Sequence, residues 1–120
     1  MLKDLLTCAP RTEPLIRLYP AYLTLNSAAA ELLGLGEVAS VAIQQDDRDG
    51  YVYIASCEDM KQAYRMRRRN NVYILSYAPL CRKLAECLEG YGSYRICREV
   101  ATDFMGKKFY NIFKKKYGKD

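Results

Sequence analysis

The sequence predicts an α+β fold in which two ββαββ halves, residues 15–57 and 64–113, form a mainly antiparallel sheet or small barrel with two short helices. Three observations lead to this prediction. The 120 residues suit one domain, short β-type runs with apolar and polar alternation recur along the chain, and two helical segments each follow a pair of such runs. Residues 1–14 are expected to form an irregular leader, and residues 114–120 a basic, solvated tail.

In the first half, residues with known conformational preferences mark where one predicted strand or helix ends and the next begins. Pro20 cannot continue the hydrogen bonding of a strand and therefore separates two β-type runs. Asn26 or Ser27 supplies an N-cap for the helix that follows, and Gly34 or Gly36 suits its left-handed end. An acidic turn that ends in glycine predicts a hairpin. The predicted elements are strands over 15–19 and 22–26, a helix over 28–33, and strands over 38–45 and 51–56.

The second half has the same element order. Asn70 and Asn71 predict a tight turn between two strands. Pro79 fits the first turn of a helix, and apolar residues then recur at helical spacing as far as Gly90. The predicted elements are strands over 64–69 and 72–77, a helix over 79–89, and strands over 94–100 and 108–113 that form a hairpin around 102–106.

The shared order predicts an internal repeat. The halves are offset by roughly 48 to 53 residues, which suits a duplicated supersecondary unit. Coincidence among β-rich segments is the alternative, because the two halves share little sequence. Each helix is expected to pack on the strands through its leucines, namely Leu32, Leu33, Leu80, Leu84 and Leu88.

Charge is distributed very unevenly along the chain. The net charge of +5 hides a first half, residues 1–60, with four Lys/Arg against nine Asp/Glu, and a second half with fifteen against five. If each half presents a contiguous face, one surface is acidic and the other basic. A basic surface is suited to phosphates, and opposite surfaces on two copies are suited to each other.

The residue types present argue against an enzyme, a cofactor and a metal site. The chain has no histidine, so the commonest general base and most catalytic zinc sites are missing. The five cysteines contain no C-x-x-C pair and are expected to be reduced, with Cys81 and Cys87 on a helix face. The acidic turn 46–49 lacks the downstream glutamate of a calcium loop. No apolar run approaches the ~20 residues that span a bilayer, so a cytoplasmic protein without membrane contact is expected.

The candidate nucleic-acid-binding residues form two basic clusters. One lies in the predicted strand 64–69, ahead of the Asn70 turn, and guanidinium groups there are suited to bidentate contact with phosphate oxygens. A second cluster lies at the last hairpin. The alternative for the first cluster is an edge strand protected by charge against pairing with other chains. The predicted site residues are Arg65, Arg67, Arg68, Arg69, Lys107 and Lys108.

A stretch of the first half resembles a known family. Residues 22–43, with Leu33-Gly34-Leu35 at the helix end, followed by a polar turn and 51–54, resemble the swapped-hairpin domain of AbrB, SpoVT and MazE-type bacterial regulators. With both halves counted, the chain resembles the tandem arrangement of MraZ-like proteins. The resemblance implies that two units supply one barrel, and that the protein is a DNA-binding transcriptional regulator.

Three functions follow as hypotheses. The first is a small bacterial-type nucleic-acid-binding protein, an AbrB-like regulator. The second is a protein-interaction module, a homo-oligomer among the options, in which the acidic half of one molecule meets the basic half of another. The third is a single-stranded nucleic-acid binder, because seven of the eleven tyrosines lie among the cations of the basic half and bases stack on such rings.

Overall fold

The computed structural model describes residues 13–36, 39–57, 63–104 and 107–117. In these ranges the chain forms eight strands and two helices in the order ββαββββαββ, which is ββαββ followed by ββαββ. The elements are β1 (Leu15–Leu18), β2 (Leu23–Leu25), α1 (Ser27–Leu33), β3 (Ala39–Gln45), β4 (Val52–Ser56), β5 (Tyr64–Arg69), β6 (Val72–Leu75), α2 (Ala78–Cys87), β7 (Gly92–Phe104) and β8 (Lys107–Lys116).

The strands close into an antiparallel barrel with the order β1-β2-β6-β5-β3-β4-β8-β7. Alternate residues of each strand point inward, because successive side chains of a strand lie on opposite faces. Closure leaves the barrel without a free edge along this order. The inward residues that are largest and fully buried are Ile16, Leu18, Leu23, Leu25, Val41, Val52, Ile54, Leu75, Tyr94, Ile96 and Ile112.

Helix α1 begins where the cap residues predict. The Asn26 side chain accepts a hydrogen bond from the backbone N–H of Ala29 at 2.9 Å, so Asn26 is the N-cap. The helix ends at Gly34, whose φ of 71° is the left-handed conformation that glycine adopts without strain. The predicted packing is confirmed, since Leu33 is buried in the core and Leu32 is half-buried against it.

Helix α2 packs through the predicted face but is shorter than the 79–89 segment. Cys81 and Leu84 are buried, and Leu80 and Leu88 are half-buried against the same core. The helix ends at Cys87, two residues before the predicted end. Tyr94 of β7 holds the turn after α2 through hydrogen bonds to Glu89 and Gly90. This tertiary contact ends the helix earlier than its apolar periodicity indicates.

The β7–β8 hairpin is longer than predicted. Turn-type residues around Thr102 favour a turn over 102–106, but Thr102 lies opposite Phe109, and Asp103 lies opposite Lys108. Cross-strand pairing therefore outweighs the local turn preference. Strand β8 also continues to Lys116 and takes in the first three residues of the segment predicted as a tail. Residues 118–120, and residues 1–12 of the predicted leader, lie outside the described ranges.

The pairing scheme has an internal regularity. When β1–β4 are exchanged with β5–β8, the strand order of the barrel is unchanged, and β2–β6 and β4–β8 pair each strand with its own counterpart. The register agrees as well. Arg17 lies opposite Thr24, and Arg67, fifty residues later, lies opposite Ile74.

Outside the barrel, a small apolar cluster covers part of the β3–β4 surface. It consists of Ala42, Ala55, Cys57 and Phe109. Because Val41 and Ile54 belong to the barrel core, Ala42 and Ala55 face outward. In the described part of the chain, no helix is long and apolar enough to cross a membrane.

Candidate nucleic-acid interface

Three arginines project from the outer surface of β5. Met66 is 3% exposed and belongs to the barrel core, so its neighbours Arg65 and Arg67 face outward, and Arg69 follows on the same side. Alternate residues of a strand are ~6.6 Å apart, so the three positions span about 13 Å. We call Arg65, Arg67 and Arg69 the arginine ridge.

The ridge lies on a strand that has a neighbour on each side. Strand β5 pairs with β3 on one side, where Arg65 lies opposite Ser40, and with β6 on the other, where Arg69 lies opposite Val72. In the closed barrel order β5 lies between β3 and β6, so it is not a terminal strand of an open sheet. The pairs are with β3 over Tyr64–Met66 and with β6 over Arg67–Arg69.

Arg68 has a different role from the ridge. Its guanidinium carbon lies 6.0 Å from the centroid of the Tyr73 ring, and its Nε donates a hydrogen bond of 3.1 Å to the carbonyl oxygen of Asn70. Asn70 has a φ of 58°, which asparagine adopts more readily than most residues, and so forms the predicted turn. Arg68 is therefore held at the turn between β5 and β6.

Lys107 and Lys108 lie on β8, and the structure does not bring them next to the ridge. In the barrel order, β3 and β4 separate β8 from β5. Lys108 also lies opposite Asp103, a residue of opposite charge. The six predicted site residues are thus divided among the ridge, the β5–β6 turn and the β7–β8 hairpin.

Within the described residues, no carboxylate lies within 4.0 Å of a ridge guanidinium. Among the described residues, the ion pair within 4.0 Å is that of Arg48 with Asp46, at 3.2 Å. Hydrogen bonds from Arg48 hold the pKa of Asp46 below its usual value, which keeps that carboxylate charged and satisfied within its own loop. The positive charge of the ridge is therefore available to a ligand.

Sequence reasoning missed a second basic surface, which we call the basic-aromatic face. The guanidinium of Arg17 lies 5.6 Å from the Tyr19 ring centroid, and Tyr19 stacks on Tyr22 at 4.5 Å. Arg95 lies 5.1 Å from the centroid of Phe113 and 5.8 Å from that of Tyr117. The face comprises Arg17, Tyr19, Tyr22, Arg95, Phe113 and Tyr117. No sequence signal joins these residues, since they come from three separate parts of the chain.

An acidic groove lies on yet another side of the barrel. It has a volume of about 680 Å³ and lies between the β3–β4 hairpin and the distal part of the β7–β8 hairpin. In the described ranges, no group of three or more potential metal-ligating side chains comes together. The residues that line this groove are Gln44, Gln45, Asp46, Asp47, Arg48, Asp49, Tyr53, Ala101, Thr102 and Phe109.

Comparison with known proteins finds no match: no protein-family model, no curated protein and no solved structure is similar to this chain. The resemblance to the AbrB-type regulators therefore stays a prediction.

Proposed function

We propose that this protein binds nucleic acid through the phosphate backbone, with the arginine ridge as its principal contact, and acts as a small AbrB-like transcriptional regulator. One observation carries the proposal. Arg65, Arg67 and Arg69 project from one side of β5, which pairs with β3 over Tyr64–Met66 and with β6 over Arg67–Arg69, and none has a carboxylate within 4.0 Å among the described residues. Unneutralised charge fixed on a rigid surface is what a polyanion would recognise.

The ridge would bind phosphates by charge-assisted hydrogen bonds. Each guanidinium can donate two parallel bonds to one phosphate group, and each neutralised phosphate releases condensed counterions. Because the strand backbone is held by the barrel, only the side chains need to be ordered on binding. This mode gives affinity without base readout, so the ridge would position the ligand and would not select its sequence.

We also propose that the barrel is built from two related units within one chain. We take the two ββαββ segments to be a tandem pair of related units, as in MraZ-like proteins. The unchanged strand order on exchange of the halves supports this, as does the matching register of Arg17 and Arg67. In this arrangement one chain supplies both units of a barrel that would otherwise need two chains.

The test compares two double variants that remove equal charge. R65Q/R67Q changes the ridge, and R82Q/K83Q changes two exposed cations on α2. Affinity for a random-sequence duplex is measured between about 50 and 200 mM salt, where each phosphate contact contributes about −0.9 to the slope of log affinity against log salt. We expect R65Q/R67Q to weaken binding and to reduce the slope by about 1 to 2 units, and R82Q/K83Q to leave the slope unchanged. A parent protein that fails to bind at low salt, or a ridge variant with the parent's slope, would overturn the proposal.

A second candidate is the interaction module, which the acidic groove favours. Asp47 and Asp49 are exposed at a groove of about 680 Å³, on the first half of the chain, and the ridge lies on the second half. The two surfaces are complementary in charge. A head-to-tail contact between copies would satisfy both, and its salt dependence is predicted in the Discussion.

A further inference from the structure

The basic-aromatic face is continuous across three neighbouring strands. Strand β7 lies between β1 and β8 in the barrel. Arg17 lies opposite Ser93, and Leu15 lies opposite Arg95, so Arg17 and Arg95 are diagonal neighbours across the β1–β7 pair. Both side chains are exposed, and diagonal neighbours on one face are within reach of long side chains.

Three of the four rings on this face are exposed: Tyr22 and Phe113 are each 36% exposed, and Tyr117 is 39% exposed, whereas Tyr19 is half-buried. A shallow groove of about 320 Å³ lies beside Phe113 and Tyr117, and its lining residues are Arg95, Phe113, Lys115, Lys116 and Tyr117. These rings contribute little to the core, and their exposure leaves aromatic surface for a ligand to cover.

The cations on this face are already oriented by the rings. Arg95 lies over both Phe113 and Tyr117, and Arg17 lies over Tyr19. A guanidinium held in this way loses less conformational freedom when a ligand binds. Within the described ranges neither arginine has a carboxylate within 4.0 Å. The acid placed beside the groove, Glu89, accepts a hydrogen bond of 3.1 Å from the backbone N–H of Lys116.

From these observations we infer that the basic-aromatic face is a second binding site, which takes the unpaired bases of single-stranded nucleic acid. Bases stack on exposed rings and on guanidinium planes, and the backbone phosphates follow the neighbouring cations. A duplex cannot use the rings, because its bases are already stacked and paired. The site is therefore selective for single strands, whereas the ridge, which carries no ring between Arg65 and Arg69, is not.

The two sites lie on different sides of the barrel. Strands β2 and β6 separate β1 from β5, so Arg17 and Arg67 belong to separate surfaces. Their matching register, opposite Thr24 and Ile74 respectively, gives them equivalent positions in the two halves. The position in the first half has the Tyr19 ring beside it, and the position in the second half has further arginines beside it.

The experiment measures binding of a mixed-sequence single strand and of the corresponding duplex by fluorescence anisotropy. Tyr22→Ser and Tyr117→Ser each remove one exposed ring from the face, and Tyr77→Ser removes a ring that is 48% exposed elsewhere. We expect either face variant to weaken single-strand binding by about fivefold or more, since stacking on an aromatic side chain is worth at least that. Tyr77→Ser should bind as the parent does, and duplex affinity should be unchanged in all three variants.

A direct signal accompanies the binding. The chain has no tryptophan, so its intrinsic fluorescence comes from tyrosine. Stacked bases should quench this emission, and Tyr117→Ser should reduce the quenching. The inference is overturned if Tyr22→Ser and Tyr117→Ser bind the single strand as tightly as the parent, or if Tyr77→Ser loses as much affinity as they do. Thermal unfolding verifies that each variant is folded, and R95Q replaces any variant that is not.

The outcomes separate this inference from the proposed function. Loss of duplex binding in R65Q/R67Q with intact single-strand binding supports two independent sites. A parent that binds single strands and not duplexes overturns the ridge proposal alone. A parent that binds duplexes and not single strands overturns the basic-aromatic site alone.

Discussion

The hydroxyl of Tyr94 donates a hydrogen bond of 2.6 Å to the carbonyl oxygen of Gly90, four residues earlier in the chain. The hydroxyl oxygen of Tyr94 in turn accepts a hydrogen bond of 2.8 Å from the backbone N–H of Glu89. A fully buried residue of β7 thus holds the turn that follows α2. Tyr73 does the same for the turn after α1, since its hydroxyl donates to the carbonyl oxygen of Gly36 at 2.7 Å. Both tyrosines satisfy backbone groups of the turns that follow the two helices.

Removing one hydroxyl should therefore destabilise the fold. We expect Tyr94→Phe to lower the free energy of unfolding by about 1–3 kcal/mol, because the part-buried N–H of Glu89 and carbonyl of Gly90 lose their partner. Urea unfolding measures the change. Tyr91→Phe is the control, since Tyr91 is exposed and should change the free energy by less than about 0.5 kcal/mol. Equal effects in the two variants would contradict the role of the Tyr94 hydroxyl.

The Asn26 side chain joins α1 to β1. Its Oδ1 accepts hydrogen bonds from the backbone N–H groups of Ala29 and Leu15, and its Nδ2 donates to the carbonyl oxygen of Glu13 at 2.7 Å. Asn26→Ala should lower the free energy of unfolding by about 1–3 kcal/mol. Asn26→Asp keeps the acceptor and loses the donor, so its effect in urea unfolding should be smaller. A larger loss in Asn26→Asp than in Asn26→Ala would contradict the importance of the capping bond.

The core contribution of α2 depends on Leu84. This side chain is buried in the main cluster, and truncation leaves a cavity. Leu84→Ala should cost about 2–5 kcal/mol in the free energy of unfolding. Its neighbour Lys83 is exposed, and Lys83→Ala should be close to neutral. Chemical denaturation of both variants under identical conditions makes the comparison, and a Leu84→Ala cost below that of Lys83→Ala would exclude the proposed packing.

The buried Cys81 thiol should make stability depend on alkaline pH. Burial raises the pKa of this thiol above its ordinary value. As pH rises past about 8.5, the unfolded chain loses its thiol proton first, so it binds fewer protons than the folded chain and stability falls. The contribution is fully present below that pH and is lost as pH rises through the folded-state pKa. Urea midpoints between about pH 7.5 and 9.5 should decline in the parent and decline less in Cys81→Ala. Above this range the pKa of Tyr94, also raised by burial, adds a decline of the same sign.

Two copies could associate by contact between the acidic groove of one and the ridge of the other. Such association should weaken as the salt concentration rises. Light scattering should report a larger mass at low ionic strength than at about 1 M, where charges further apart than ~3 Å are screened. The charge-reducing variant Asp47→Asn/Asp49→Asn should reduce the low-salt mass, because both aspartates are exposed at the groove. A mass that is independent of salt would exclude electrostatic head-to-tail assembly.

Local signals were sufficient for part of the fold. The bounds of β5 agree with the predicted strand, because Tyr64 and Met66 alternate with arginines and Asn70 ends the run. Capping preference left Asn26 and Ser27 as candidates for the N-cap of α1, and the structure selects Asn26. The end of β7 was not predictable in this way, because the turn-type residues Thr102 and Asp103 are paired with β8. Hydrogen bonds and side-chain contacts with β8 stabilise these residues as a strand, and the local sequence preference gives no sign of them.

For the candidate sites too, the sequence predicts some features and only the barrel shows the others. The run of arginines from Arg65 to Arg69 is visible in the sequence, and alternation alone separates the outward side chains from Met66. The separation of Lys108 from that run depends on the barrel order, in which β3 and β4 intervene. Whether β5 lies at an edge also depends on closure, which no local pattern reveals.

Local sequence patterns indicated the type and order of the elements and two candidates for each cap of α1, because such preferences depend on near neighbours in the chain. The excess of cations in the second half is a direct count from the sequence. Only the tertiary structure decided that the strands close into a barrel and that Arg17 and Arg95 share one surface. Those features depend on the register between strands far apart in sequence. A one-residue change in that register would turn every side chain of a strand to the opposite face, so the basic-aromatic face exists only in the folded barrel.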